Sequence, residues 1–301
     1  MRTRTILFAL LAAALCGGSA LMAGGPGFIR VSVYGDDNRT DQADASAKLQ
    51  AMSNSVPALF LASELKANPD GSFALKTARP LGTSRGMADG QRFTDQNRAA
   101  YCSGALVGDD LVFTAGHCVV EYYEGEFDCR TDKVVFGFSV TTKGGKAPSA
   151  FPAADVYGCK KVITWKKTGI TDYALIQLDR KVTNRTPLAI NREGGLKTGT
   201  PLAVIGYPDG LPLKVADSGK VRSIPAGKPY FFTDLDTFHG NSGSPVFNTR
   251  TFRIEGILAR GDEDYQFTAD GTKVAVYPQE GGKGEEVTMI SEISALIPQT
   301  E

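Results

Sequence analysis

The sequence predicts an all-β protein in which two antiparallel β-barrels are followed by a C-terminal helix. Short apolar segments recur from residue 100 to residue 260, and turn residues separate them. Such chains of short strands favour closed antiparallel barrels, because closure leaves no exposed strand edge. The 301 residues leave room for one large all-β domain or two small ones. The 33 basic and 33 acidic residues balance, so the chain lacks the excess of positive charge that would indicate a nucleic-acid partner.

The N-terminus has the form of a secretory signal peptide over residues 1–23. A cationic start precedes an apolar run over 6–15, which is too short to span a membrane, and small residues follow. We therefore expect export to the periplasm or the medium. Cys16 leaves a lipoprotein as the alternative, although Leu15 stands where lipoprotein signals favour a small residue. Residues 24–99 are expected to be an N-terminal extension or a propeptide, packed partly on the barrels.

The main domain is expected over residues 100–301, with the first barrel at about 100–185 and the second at about 200–285. A polar connection over 181–199 joins them. The predicted strands are 103–107, 110–114, 133–139, 156–165 and 173–179 in the first barrel, and 201–207, 213–224, 230–235, 244–248 and 253–260 in the second.

An amphipathic helix is predicted near the C-terminus, over about 287–297. Its apolar residues are Val287, Ile290, Ile293 and Ile297, which repeat at helical spacing. We expect this apolar face to pack on the second barrel.

The first chemical motif is the segment DTFHGNSGSPVF at residues 236–247. Gly240 and Gly243 allow a tight turn around Ser242 and leave backbone N–H groups uncovered. A nucleophilic serine needs an exposed hydroxyl and two N–H groups aimed at the developing oxyanion, and the N–H groups of Gly240 and Ser242 are the natural pair. An ordinary Gly/Ser turn before a strand is the alternative that this motif leaves open.

Two further motifs supply a base and an acid. His117 lies in the segment TAGHC at the end of an apolar strand, where it can serve as a general base. Asp172 opens the apolar strand DYALIQL, where its carboxylate can accept the other imidazole N–H and fix the tautomer. The second histidine, His239, lies only three residues before Ser242, so we expect it to face the rim of a substrate pocket instead.

These motifs, in the order histidine, aspartate and serine, resemble those of the chymotrypsin/trypsin-like serine peptidases. The Gly-Tyr-Pro segment at 206–208 and the segment at 31–40 resemble the bacterial V8-like branch, which includes the glutamyl endopeptidases. The resemblance covers about residues 100–260. It implies two six-stranded Greek-key barrels and a triad of His117, Asp172 and Ser242, with the oxyanion hole at Gly240 and Ser242. It also implies maturation by cleavage of a zymogen, near Arg30.

Four cysteines remain besides Cys16, and four cysteines allow three pairings. The resemblance implies a disulfide between Cys102 and Cys118 beside the histidine, which leaves Cys129 to pair with Cys159. Disulfides suit an exported chain.

The substrate pocket is where the sequence departs from its relatives. Asp236 falls where trypsin-like enzymes place the residue at the pocket floor, and a carboxylate there would favour Lys or Arg; a residue that caps a turn is the alternative. Leu258, in the segment that ends at Gly261, replaces the histidine with which glutamyl endopeptidases bind a substrate carboxylate. A preference for glutamate would then need His239 or Arg260 to supply the missing positive charge.

The sequence therefore predicts a secreted serine endopeptidase that acts through a Ser-His-Asp triad and an acyl-enzyme. Its expected partners are protein or peptide substrates; we expect no nucleic acid, no stable membrane insertion, no metal or other cofactor, and a monomer. A catalytically silent trypsin-like binding module is the alternative function.

Overall fold

The computed structural model describes residues 33–120, 128–261 and 263–299. The predicted signal peptide, Cys16 and the cleavage near Arg30 lie outside these residues. None of the helices in the described ranges is long and apolar enough to cross a membrane.

The N-terminal part contains short elements before the first predicted barrel strand. Its strands are β1 (Val33–Tyr34), β2 (Thr40–Asp41), β3 (Ala58–Phe60), β4 (Leu65–Ala67) and β5 (Phe73–Leu75). Its helices are α1 (Ala47–Ser53), which Ser46 caps, and α2 (Leu81–Arg85), which ends at the left-handed Gly86.

The strands of the first barrel agree with the predicted segments to within a few residues. They are β6 (Cys102–Ser103), β7 (Ala105–Gly108), β8 (Leu111–Thr114), β9 (Lys133–Val135), β11 (Val156–Lys167) and β12 (Asp172–Leu178), with β10 (Ala150–Phe151) outside the barrel and helix α3 (His117–Val120) after β8. The sheet runs in the order β6-β3-β9-β11-β12-β8-β7. Because only Gly104 separates β6 from β7, the barrel is nearly closed.

The second barrel closes on itself through six strands. Its strands are β13 (Pro201–Gly206), β14 (Lys214–Ser223), β15 (Tyr230–Thr233), β16 (Pro245–Asn248), β17 (Ile254–Arg260) and β21 (Glu285–Met289), and a hairpin of β18 (Tyr265–Thr268) and β19 (Gly271–Val274) and the short β20 (Val276–Tyr277) lie outside it. The order β13-β16-β17-β21-β15-β14 is closed by antiparallel pairing of β13 with β14. The prediction of two antiparallel barrels is confirmed.

Residues before position 100 form strands that pair with strands of both barrels. Strand β3 lies between β6 and β9, so the first barrel begins well before residue 100. Strand β2 pairs antiparallel with β14 of the second barrel, and β1 pairs in parallel with β20.

The predicted helix over 287–297 is wrong. The chain continues as β21 to Met289, and two 3-10 turns follow, Ile290–Glu292 and Ser294–Leu296. Ile290, Ile293 and Ile297 are buried, as predicted, but a spacing of three residues also brings side chains to one face of a 3-10 turn. Val287 belongs to a strand, where it pairs with Phe231.

Candidate active site

His117 lies between the two barrels at the first residue of α3, directly after β8. The preceding Gly116 must be glycine because a Cβ there would lie 2.3 Å from the carbonyl oxygen of Lys166 and 2.9 Å from that of Tyr173. This close approach brings the histidine against the hairpin of β11 and β12. Only 6% of His117 is exposed.

Two disulfides brace this part of the first barrel. Cys118, next to the histidine, is joined to Cys102 at the start of β6. Cys129 is joined to Cys159 in β11. The first is the pair that the resemblance implies and the second is the pair that remained, and disulfides persist in oxidising compartments outside the cytosol.

Asp172, the first residue of β12, binds His117 through both carboxylate oxygens. Oδ2 lies 2.9 Å from His117 Nδ1, and Oδ1 accepts the His117 backbone N–H at 3.0 Å. The carboxylate therefore fixes both the ring and the backbone of the histidine. Burial alone would raise the pKa of Asp172, but the hydrogen bond from His117 and the positive charges of His117 and Arg260 hold the pKa below its usual value. Asp172 is thus ionised at neutral pH.

Ser242 lies in a turn that packs directly against the strand end before His117. Gly243, with φ of 85°, fits only because it lacks a side chain: a Cβ would lie 2.2 Å from both the Ser103 carbonyl oxygen and Thr114 Oγ1. Thr114 is the last residue of β8, three residues before His117. The structure therefore brings the segments that carry the predicted serine, histidine and aspartate together.

The backbone of the serine turn exposes the two predicted oxyanion donors. Gly240 has φ of 94°, a conformation that favours glycine. Within the described ranges, no residue accepts a hydrogen bond from the N–H of Gly240 or Ser242. Each of these N–H groups belongs to a peptide whose carbonyl is held: the Asp209 N–H binds the oxygen of His239, and the Ser244 N–H binds that of Asn241 at 2.8 Å. Since the peptide is planar, holding the carbonyl fixes the direction of the N–H.

Asp209, which the sequence analysis missed, is bound by residues of the N-terminal part and by a residue of β18. Its buried carboxylate accepts hydrogen bonds from Arg85, Arg98 and the Tyr265 hydroxyl at distances between 2.5 and 3.0 Å. Arg98 also donates to the Asp209 carbonyl at 2.8 Å. Burial would raise the pKa of Asp209, but these partners, Arg85 foremost, lower it below its usual value. No local motif marks Asp209, because its partners are distant in sequence.

The predicted pocket residues differ in how deeply they are buried. Asp236 is buried, and its carboxylate accepts the N–H groups of Tyr34 and Asn38 at 2.8 Å each. Leu258 is fully buried in the core of the second barrel, and its backbone pairs with the serine turn. Gly261 is half-buried just beyond β17. The structure thus favours the alternative in which Asp236 holds a turn.

His239 and Arg260 are the two groups that could bind a substrate carboxylate, but the first is uncharged and the second already contacts other carboxylates. Burial lowers the pKa of His239, so its ring is neutral at neutral pH. The Arg260 guanidinium contacts the carboxylates of Asp172 and Glu286.

One group of residues in the described ranges is spaced closely enough to hold a metal ion: Cys102, His117 and Cys118. Both sulfur atoms belong to a disulfide, so the group lacks the thiolates with which proteins bind zinc.

The chain was compared with models of known protein families. A family model described as the trypsin-like peptidase domain matches residues 102–257, which include all three motifs.

Two curated proteins are similar to parts of the chain. A glutamyl endopeptidase from Bacillus licheniformis is 24% identical over 166 residues, which are 50% of this chain and 46% of that protein. A trypsin from Sarcophaga bullata is 31% identical over 111 residues, which are 36% of this chain and 39% of that protein. The chain therefore matches less than half the length of each of these relatives.

Solved structures share the fold. A structure of a Glu endopeptidase in complex with MPD matches with a TM-score of 0.52 and 18% identity, over 88% of this chain and 96% of that one. The VesB protease of Vibrio cholerae matches with a TM-score of 0.50 and 14% identity, over 86% of this chain and 66% of that one.

Proposed function

Because the chain belongs to the family of trypsin-like peptidases, we propose that it is a serine endopeptidase whose catalytic triad is Ser242, His117 and Asp172. The observation that carries the assignment of residues is the bidentate contact of the buried Asp172 with the His117 ring and backbone. This contact leaves Nε2 of the ring as the nitrogen that can accept a proton from a nucleophile. The turn of Ser242, packed beside His117, supplies that nucleophile.

The reaction proceeds in two halves. Ser242 Oγ attacks the carbonyl carbon of the scissile peptide while His117 Nε2 takes its proton. The N–H groups of Gly240 and Ser242 stabilise the oxyanion of the tetrahedral intermediate. As that intermediate collapses, His117 gives the proton to the leaving amine, and an acyl-enzyme remains on Ser242. Water, deprotonated by His117, then hydrolyses the ester and restores the serine.

Asp172 contributes charge and orientation to both halves. Its carboxylate stabilises the imidazolium that forms when His117 takes the proton, and it keeps the Nδ1 hydrogen in place. The lowered pKa of Asp172 supports this role, because the carboxylate remains charged throughout the pH range in which a histidine base works.

The substrates are proteins or peptides. Among Asp236, His239 and Arg260, no charged group is left free to pair with the substrate side chain before the scissile bond. Glutamyl endopeptidase is the name of one relative. A glutamate preference in this chain would require a cation, but His239 is neutral and Arg260 already contacts two carboxylates. Asp236, in turn, is engaged by two backbone N–H groups. We therefore expect no strict preference for glutamate.

The protein is exported, and the described part of the N-terminal extension remains in the active enzyme. Export is supported by the N-terminal signal-like sequence and by the two disulfides. Retention is supported by β3, which lies within the first barrel. It is also supported by Arg85 and Arg98, which bind Asp209 behind the serine turn, from here on called the oxyanion turn because Gly240 and Ser242 lie in it. Intact mass and N-terminal sequencing of the active secreted protein test both points.

Labelling by a fluorophosphonate probe tests the nucleophile. The wild type should form a covalent adduct at Ser242, and Ser242→Ala should abolish it. Ser223→Ala, at an exposed serine of β14, is the matched control and should label like the wild type. A wild type that is folded but does not react with the probe would instead support a silent trypsin-like binding module.

A further inference from the structure

The last residue of β17, Arg260, lies opposite Glu286 of β21, and the two side chains form an ion pair. The register between these strands shifts between Leu258 and Arg260. Such an irregularity re-aims the side chain that follows it. Arg260 is only 21% exposed and Glu286 7% at their side chains, so the pair is largely desolvated.

The same arginine reaches the aspartate of the proposed triad. Arg260 Nη2 lies 3.4 Å from Asp172 Oδ2, which is the oxygen that binds His117 Nδ1. Nη2 also donates to the carbonyl of Thr168 at 2.7 Å, in the turn just before β12. The guanidinium therefore ties together Asp172, the turn before it and Glu286.

Strand β21 holds Asp172 in a second way. The Asp172 N–H donates to Thr288 Oγ1 at 3.2 Å, and Thr288 is buried. Thr288 and Glu286 are two residues apart in β21 and so share one face of the strand. One strand of the second barrel thus anchors the acid of the first barrel by both its backbone and, through Arg260, its side chain.

We propose that Arg260 and Glu286 are positioning residues that act through Asp172 and that their balance of charge sets the acid limit of activity. The proposal rests on the triad assigned above. The positive charge of Arg260 draws on the same carboxylate that stabilises the His117 imidazolium, so it disfavours protonation of the base. The negative charge of Glu286 offsets that effect. The effect of each charge on the base is therefore cancelled by the other while both are present.

Other charged groups surround the Asp172–His117 pair, and the variants below leave all of them unchanged. On the hairpin that carries Asp172 these are Lys166, which pairs with Glu292, and Lys167, which is the register partner of Asp172. Behind the serine turn they are His239 and Asp209, the latter with Arg85 and Arg98.

The test is the acid limb of the pH profile of kcat/KM, measured on one peptide substrate. Arg260→Gln leaves Glu286 uncompensated, so the midpoint of the limb should move to higher pH by roughly 0.5–1 unit, as expected of a unit charge a few ångströms away. Glu286→Gln leaves Arg260 uncompensated and should move the midpoint to lower pH by a similar amount. The double variant should return close to the wild type, and Arg260→Lys, which keeps the charge, should move it least.

Lys220→Gln is the control for total charge, because Lys220 forms an exposed ion pair with Glu280 elsewhere on the second barrel. It should leave the acid limb in place. Shifts of the same sign in Arg260→Gln and Glu286→Gln, or no shift in either, would overturn the proposal while leaving the triad intact. If Arg260→Gln does not fold, Glu286→Gln alone still decides, since only a charge effect predicts a downward shift. Failure of the triad itself is seen separately, as full activity in Ser242→Ala.

Discussion

The Ser103 hydroxyl donates a hydrogen bond of 2.8 Å to the carbonyl oxygen of Gly240 and so joins the first barrel to the oxyanion turn. The Ser103 N–H donates to the Ser242 carbonyl oxygen, also at 2.8 Å. Its hydroxyl in turn accepts the Tyr207 N–H at 3.0 Å, which connects this residue to the second barrel. A single buried serine therefore restrains the Gly240–Asn241 and Ser242–Gly243 peptides, and hence the turn from which both proposed oxyanion donors project.

We predict that Ser103→Ala lowers kcat more than it affects KM. The variant leaves the Gly240 carbonyl and the Tyr207 N–H without partners, which should cost about 1–3 kcal/mol of unfolding free energy. A loosened turn should lower kcat roughly 10-fold, because the oxyanion is bound only in the transition state. Ser55→Ala removes another buried hydroxyl, which donates to the Thr186 carbonyl at 2.7 Å far from the site, and serves as control. Equal losses of kcat in the two variants would assign Ser103 to stability alone.

The second prediction concerns the triad as one catalytic unit. Ser242→Ala, His117→Ala and Asp172→Asn should each lower kcat by about 10⁴-fold or more, because each removes a part without which the proton transfer fails. The losses should not multiply. Steady-state kinetics of Ser242→Ala/His117→Ala measures this: a double variant far less active than either single variant would argue that the two residues act independently.

Much of this site could be predicted from sequence because its motifs are local. His117, Asp172 and Ser242 each sit in a short segment whose small residues and strand boundaries are visible in the chain itself. The glycines carry much of this signal, since Gly116 and Gly243 are required by close backbone contacts that leave no room for a side chain. The barrel strands were predictable for a related reason, because apolar segments bounded by turn residues mark them.

The features that could not be predicted from the sequence depend on contacts between residues that are distant along the chain. The sequence allows Asp236 to be either a pocket residue or a turn residue, because its partner Tyr34 lies 202 residues away and nothing local indicates that pairing. The supports Asp209 and Thr288 carry no motif for the same reason. The C-terminal helix was mispredicted because apolar residues spaced by three fit both an α-helix and successive 3-10 turns, and only the pairing of β21 distinguishes them.

The third prediction links the N-terminal segment to catalysis. Arg98→Gln removes two hydrogen bonds from Asp209, one of them to its buried carboxylate, which should cost about 1.5–3 kcal/mol in unfolding free energy. Because the Asp209 N–H holds the carbonyl of His239, kcat should also fall. Arg79→Gln breaks a more exposed ion pair with Glu64 and should change neither quantity appreciably. Urea unfolding and kcat measured below the unfolding transition provide the comparison.

An unchanged kcat in folded Arg98→Gln would mean that the N-terminal segment stabilises the barrels without restraining the oxyanion turn. The acid side gives an independent check. The pKa of Asp209 is lowered on folding, so its contribution to stability is present above the ordinary carboxyl pKa and is lost as the pH falls through the lower, folded value. Arg98→Gln should therefore be least destabilising, relative to wild type, in strong acid.

The last prediction distinguishes an anchor from a specificity residue at Asp236. Burial raises the pKa of Asp236 to about 6, above its ordinary value of 3.8, although the N–H groups of Tyr34 and Asn38 favour the ionised form. A carboxyl whose pKa is raised on folding contributes stability at low pH that is lost as the pH rises, here between about 4 and 6. Asp236→Asn removes this titration. The unfolding free energy of the wild type relative to Asp236→Asn should thus fall on the order of 3 kcal/mol across that window.

Substrate preference gives the second arm of the same test. Matched peptides with Arg, Glu or Leu before the scissile bond are compared in the wild type, Asp236→Asn and Asp236→Ser. If Asp236 anchors the segment of Tyr34 and Asn38, the ratios of kcat/KM among the three peptides should be the same in all three proteins, whereas stability should differ. His239→Ala is the companion variant, since His239 is the predicted rim residue and should alter those ratios if it contacts the substrate side chain. A selective loss of Arg cleavage in both Asp236 variants, with parallel pH-stability curves, would restore Asp236 to the floor of the pocket.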